Sequence, residues 1–132
     1  RINYKEIIMK TLLTLFVLFF SSSVVANDFL CFETNDKGGE MDVVNELLFR
    51  KNSNNQYDLS FPDYPENGVQ TFDIINNDNR NIILNLSGVF EATAYSFNII
   101  IDKDDLTFGS ASLITPFMLD NMELSYGFCN KL

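Results

Sequence analysis

Gln56-Tyr57-Asp58-Leu59-Ser60-Phe61 is the stretch that decides the fold: Tyr57, Leu59 and Phe61 fall on one side of an extended chain, Asp58 and Ser60 on the other. Period-two alternation marks a half-buried strand, because successive side chains of a strand point to opposite faces. Asn52-Ser53-Asn54-Asn55 precedes it, and Pro62-Asp63-Tyr64-Pro65-Glu66-Asn67-Gly68 follows. Asn and Gly tolerate turn conformations, and paired prolines do not fit a central strand. A short strand between two turns is therefore the unit to look for elsewhere.

The same unit recurs in both directions. Phe29, Cys31 and Glu33 share one face, with Leu30 and Phe32 opposite, and Asp36-Lys37-Gly38-Gly39 turns the chain. Met41 to Lys51 reads as a strand with Met41, Val43, Leu47 and Phe49 on one side; a helical stripe of Val43, Val44, Leu47 and Leu48 is the alternative. The β-branched pair and flanking turns favour the strand. Downstream, Val69 to Ile75 is a strand and Asn76 to Asn81 a polar turn. Ile82, Leu84 and Leu86 alternate with Ile83, Asn85 and Ser87, and Gly88 permits a bend or bulge. Val89 to Ile101 is a long strand or bent pair, Asp102-Lys103-Asp104-Asp105 a turn, and Leu106 to Leu113 a return strand. Met122 to Asn130 closes the series, with Leu124, Tyr126 and Phe128 on one face. The expected fold is all-β: an antiparallel meander of about 7–8 strands forming a small barrel or sandwich.

The amino-terminal segment follows another rule. Met9 and Lys10 precede the apolar run Leu12 to Phe20, which Ser21-Ser22-Ser23-Val24-Val25-Ala26 follows. A positive start, a short apolar run and small residues at a cleavage point make a secretory signal, and the run is far below the roughly 18 residues of a spanning helix. Residues 1–26 are thus expected to be a signal-peptide helix with its true start at Met9 and cleavage after Ala26. Residues 27–132 are expected to be a single β domain in the periplasm or secreted. No small residue stands directly before Cys31, so a lipoprotein signal does not fit and no stable membrane anchor is expected after cleavage. Cys31 and Cys129 are the chain's two cysteines. In an oxidising compartment such a pair reads as a disulfide. It requires neighbouring first and last strands with Cα atoms within about 7 Å.

Composition narrows the chemistry. The chain has no histidine and no tryptophan. Without histidine, Ser-His-Asp and Cys-His catalysis and His-ligated metal sites are excluded within this chain. A carboxylate-pair glycosidase fits poorly in so small a domain, and no enzyme activity or cofactor is expected. Residues 27–132 hold 17 acidic and 6 basic side chains, a net charge of −11. Such a surface disfavours nucleic acid and favours a basic protein partner by steering its approach.

Candidate sites are few. Asp102, Asp104 and Asp105 are weak metal candidates, because Leu106 stands where a further oxygen ligand is wanted and a hairpin turn explains them. Asn85-Leu86-Ser87 matches a glycosylation sequon but falls inside a strand. Tyr64, held between Pro62 and Pro65, either caps the core or projects as a binding knob. Ser110 to Asn121, with Leu113, Ile114, Pro116, Phe117, Met118 and Leu119, reads as a plug over a barrel end or, if exposed, as a contact surface. Ten phenylalanines lie beyond the signal, about what a β core without Trp uses; a lipid cavity needs a barrel larger than the strand count implies. Tyr64, Phe117 and Met118 form the candidate binding loops. The expected function is a small exported acidic binding protein, an inhibitor or immunity-type protein for a basic secreted or periplasmic enzyme. A structural or adhesive subunit of a surface assembly and a small-ligand-binding barrel are the alternatives.

Overall fold

A computed structural model describes residues 27–37 and 40–132; the expected signal peptide lies outside the described residues. Eight strands follow one another in sequence: β1 (Phe29–Lys37), β2 (Glu40–Lys51), β3 (Gln56–Ser60), β4 (Val69–Asn77), β5 (Asn81–Phe90), β6 (Thr93–Asp102), β7 (Thr107–Ile114) and β8 (Met122–Lys131). Each pairs antiparallel with the next and β8 pairs with β1, so the sheet closes into a barrel. Met41 to Lys51 is thus strand, not helix. Closure removes most of the unpaired edge that an open sheet of this size would carry.

Cys31 stands opposite Cys129 in the β1–β8 ladder, and the two form the disulfide with Cα atoms 4.0 Å apart. An up-and-down barrel has two ends. One carries the β1–β2, β3–β4, β5–β6 and β7–β8 connections and is called the rim below. The other, the base, carries the remaining turns together with Asn27 and Leu132, where the Leu132 N–H donates to the Asp28 carbonyl at 3.0 Å.

The core fills the base. Phe29, Cys31, Phe49, Tyr57, Phe72, Ile82, Leu84 and Ile101 are fully buried. Each large apolar side chain removed from water there contributes about 1.5–3 kcal/mol. Leu106 seals the base: it packs against this core from the β6–β7 turn in a left-handed conformation (φ 55°), and its carbonyl accepts the Cys129 N–H at 2.7 Å. Opposite it, the Tyr57 hydroxyl donates to the Asn27 carbonyl at 2.8 Å. Gly127 is a packing requirement. A Cβ there would strike the Phe32 carbonyl and come within 2.8 Å of the Phe108 ring.

Two bulges change the expected faces. On β2, Glu33 faces Asn45 and Thr34 faces Val43, leaving Val44 unmatched. Leu47 and Phe49 point to the core, but Val43 above the bulge is exposed, not grouped with them as strict alternation predicts. On β4, Ile74 faces Leu84 and Asn76 faces Ile83, leaving Ile75 unmatched and exposed. Gly88 makes no bend, since β5 and β6 pair in unbroken register through Gly88 and Tyr95. Its missing side chain makes room for the Tyr95 ring, whose Oη would lie 2.7 Å from a Cβ.

Candidate functional site

The weak metal candidates lie at the base and are occupied by turn chemistry. One Asp102 carboxylate oxygen accepts the N–H groups of Asp104 (2.9 Å) and Asp105 (3.2 Å), and Asp104 pairs with Arg80 at 3.6 Å. Among the described residues no group of three or more His, Cys, Asp or Glu is placed to hold a metal ion. The neighbouring polar turn is built the same way. Asp78 accepts the N–H groups of Asn81 (2.7 Å) and Arg80 (2.8 Å) and the Asn76 amide (3.1 Å). These bonds favour its ionised form and bring its pKa down to about 2. Lys103 donates to the Asn77 side chain and the Asp78 carbonyl, while partial burial, and then Lys131, lower its pKa. The sequon asparagine, Asn85, donates to Asn98 at 2.8 Å across the outer face of β5 and β6.

The rim is different. Tyr64 is 46% exposed in the β3–β4 loop, beside a single turn of 3-10 helix at Pro65–Asn67. Phe117 and Met118, 69% and 58% exposed, stand in the β7–β8 loop after the cis Thr115–Pro116 bond. The plug reading of that loop is therefore overturned at Phe117 and Met118, and Tyr64 does not cap the core. A three-residue 3-10 turn at Leu119–Asn121 leads back into β8 and holds the loop out, with the Asn121 amide donating to the Pro116 carbonyl at 2.8 Å. Sequence reasoning missed Phe90, which is 69% exposed at the β5–β6 turn. That turn is the two residues Glu91 and Ala92, both left-handed (φ 48° and 67°). Two-residue hairpin turns of this kind favour Asn-Gly, because a Cβ is strained there. The topology thus places all three predicted loop residues at one end and adds Phe90 to them.

Charge is sorted along the same axis. Asp36, Glu40, Asp42, Asp63, Glu66, Glu91, Asp120 and Glu123 all lie at or near the rim, with Lys37 the one base among them. Arg50, Lys51, Arg80, Lys103 and Lys131, the other five of the six bases among the described residues, lie at or near the base, where they offset most of Asp28, Asp58, Asp73, Asp78, Asp102, Asp104 and Asp105, so the net charge is −7 at the rim and −2 at the base.

Between core and rim the barrel is not filled. A cavity of about 220 Å³ opens toward the rim, walled by Phe61, Phe97 and Leu59 and by Glu33, Gln70, Ser110, Ser112, Glu123 and Ser125. Glu33 accepts the Asn45 amide at 3.0 Å, and Ser110 bonds Ser125 across β7 and β8. Eight strands are enough to enclose a small ligand, which corrects the expectation that a larger barrel is required. Here the phenylalanines of the core take up the lower half, and what remains falls below the roughly 300–1,000 Å³ of common ligand pockets. The two carboxylates were legible in part. Glu33 shares a face with Phe29 and Cys31, and once the disulfide fixes Cys129 inside, alternation brings Gly127, Ser125 and Glu123 inside too.

No protein-family model, curated protein or solved structure matches this chain.

Proposed function

We propose that this chain is a small exported binding protein that presents its acidic rim to a basic protein partner, as an inhibitor or immunity protein does toward a basic secreted or periplasmic enzyme. One observation carries the reading. Eight carboxylates and the exposed Tyr64, Phe90, Phe117 and Met118 share one end of the barrel with a single base, a net charge of −7, while at the other end five of the six bases of the described residues offset most of the seven carboxylates there. A charge merely for solubility would be spread over the surface. A one-ended field orients an approaching basic protein and speeds its encounter. Exposed aromatics on short loops then supply the apolar anchors that hold an interface after encounter. The disulfide accords with an oxidising, exported compartment.

The test is affinity capture from exported fractions with the disulfide-bonded protein and with a Tyr64→Ser/Phe117→Ser/Met118→Ser variant. A basic protein is expected on the unmodified bait at low salt, weakened as salt rises and lost on the variant. Equal capture by bait and variant, or an acidic protein as the main species, refutes the reading.

A further inference from the structure

The barrel is not closed over its full height. The β1–β8 ladder runs from Phe29 opposite Lys131 to Thr34 opposite Tyr126 and stops there. Above that point β1 continues with β2 alone, while Met122 to Leu124 of β8 pair with β7 alone. A slot of about 530 Å³ separates the two strands, lined by Glu33, Glu123 and Ser125 toward the interior and by Val44, Leu124 and Tyr126 toward the outside. Glu33, Glu123 and Ser125 also line the inner cavity, so the slot is a side entrance to it.

Backbone parity says which groups face the slot. The Cys129 N–H points to β7, where it reaches the Leu106 carbonyl. The Tyr126 carbonyl points to β1, where the Thr34 hydroxyl donates to it at 3.2 Å, and the Leu132 N–H also points that way. Directions alternate along a strand, so the N–H and C=O groups of Leu124 and Met122 face the slot. Among the described residues no strand pairs with them there. Leu124 is 86% exposed on the outer face beside them.

We propose that an extended segment of a basic protein partner adds to this free edge of β8, with a Lys or Arg side chain passing through the slot to Glu33 and Glu123. This rests on the reading of the rim as a partner-binding end, and names how the partner is gripped. An added strand gains main-chain hydrogen bonds from the edge and specificity from alternate side chains. Its inward positions meet Glu33, Glu123 and Ser125, which call for cationic side chains. Its outward positions meet Val44, Leu124 and Tyr126, which call for apolar ones. The recognised pattern is therefore basic–apolar–basic in alternation. Glu33 has a neutral partner, the Asn45 amide, and the ion pair among the described residues, Arg80–Asp104, is at the base. A second copy of this chain is a poor occupant, because it would bring its own excess of carboxylates to an already acidic rim.

The probe is a short capped peptide alternating Lys and Val, titrated into the disulfide-bonded protein and followed by backbone amide NMR. The expected result is saturable shifts centred on the Leu124 and Met122 amides, which become protected from exchange. Affinity should fall about tenfold or more, the scale of one lost charge-assisted contact, in Glu33→Gln/Glu123→Gln. A peptide with its alternate backbone nitrogens methylated, which cannot pair as a strand, should not bind. The Gln pair keeps side-chain volume, and an unchanged amide spectrum away from the slot verifies its fold. Shifts confined to the Tyr64 and Phe117 loops, binding indifferent to methylation, or binding no weaker in the Gln variant would overturn the proposal. So would concentration-dependent dimerisation that protects the Leu124 amide without peptide, since the edge would then serve self-pairing. A basic partner captured through the loops, with β8 amides unmoved by that partner, would reject strand addition and leave the rim-binding reading standing.

Discussion

The Phe32 ring stacks on the Phe128 ring outside the barrel, centroids 5.1 Å apart, one residue along each strand from the Cys31–Cys129 bridge inside it. The β1–β8 seam is thus clamped on both faces, covalently within and by aromatic contact without. This is also the ladder that closes the barrel between strands farthest apart in sequence, where loop-closure entropy is largest.

Reduction of the disulfide should therefore be costly. The bridge spans 98 residues, and closing a loop of that length is worth about 4–5 kcal/mol in the chain-entropy model. For a domain near 100 residues the melting temperature should drop by roughly 15 °C or more. Thermal melts with and without reductant measure it. Coincident melts would show that the ladder and the aromatic pair close the barrel unaided.

Ala92→Gly should stabilise the protein. Ala92 is left-handed at the β5–β6 turn (φ 67°) and Glu91 precedes it in the same region (φ 48°). Glycine relieves strain of about 1 kcal/mol at such a position, and Glu91→Asn adds a smaller gain. Denaturant midpoints of the single and double variants give the answer, and a destabilised Ala92→Gly would contradict the assigned turn.

Tyr57 sets a limit at high pH. Burial, and then the nearby Asp28 carboxylate, push its hydroxyl from 10.0 to about 12. A raised acid pKa means that the folded state resists losing this proton. The stabilisation is complete below pH 10 and is lost as pH climbs toward 12, at up to about 1.4 kcal/mol per pH unit. Tyr57→Phe should cost about 0.5–1.5 kcal/mol at neutral pH, through the lost bond to the Asn27 carbonyl. It should also flatten the stability curve between pH 10 and 12. Parallel alkaline curves for the two proteins would rule out this role.

Much of the barrel was legible because its strands obey simple alternation. Tyr57 and Leu59, and Ile82 and Leu84, face inward as the pattern of β3 and β5 predicts. At Val43-Val44 and Ile74-Ile75 a bulge shifts the phase by one, whereas the equally β-branched Ile82-Ile83 and Ile99-Ile100-Ile101 pair in unbroken register, so composition does not say where a bulge falls or which residue is extra. β8 misleads for a different reason. Its larger apolar side chains, Leu124, Tyr126 and Phe128, share a face as expected, but that face is the outer one, because the bridge holds Cys129 inside. The co-location of Tyr64, Phe90, Phe117 and Met118 needed the topology, since they are far apart in sequence and only the strand count decides which turns share an end. The slot beside β8 was not legible, because it depends on where one ladder stops.

Asn27 and Leu132 lie together at the base, tied by the Leu132–Asp28 bond. A support joined to either residue therefore attaches on the side away from the rim. Ten-residue strands such as β5, tilted as in a barrel, lift the rim about 25 Å clear of such a support. Immobilised by either route, the molecule stands upright with its acidic mouth facing outward, and a fusion at the base leaves that mouth unobstructed.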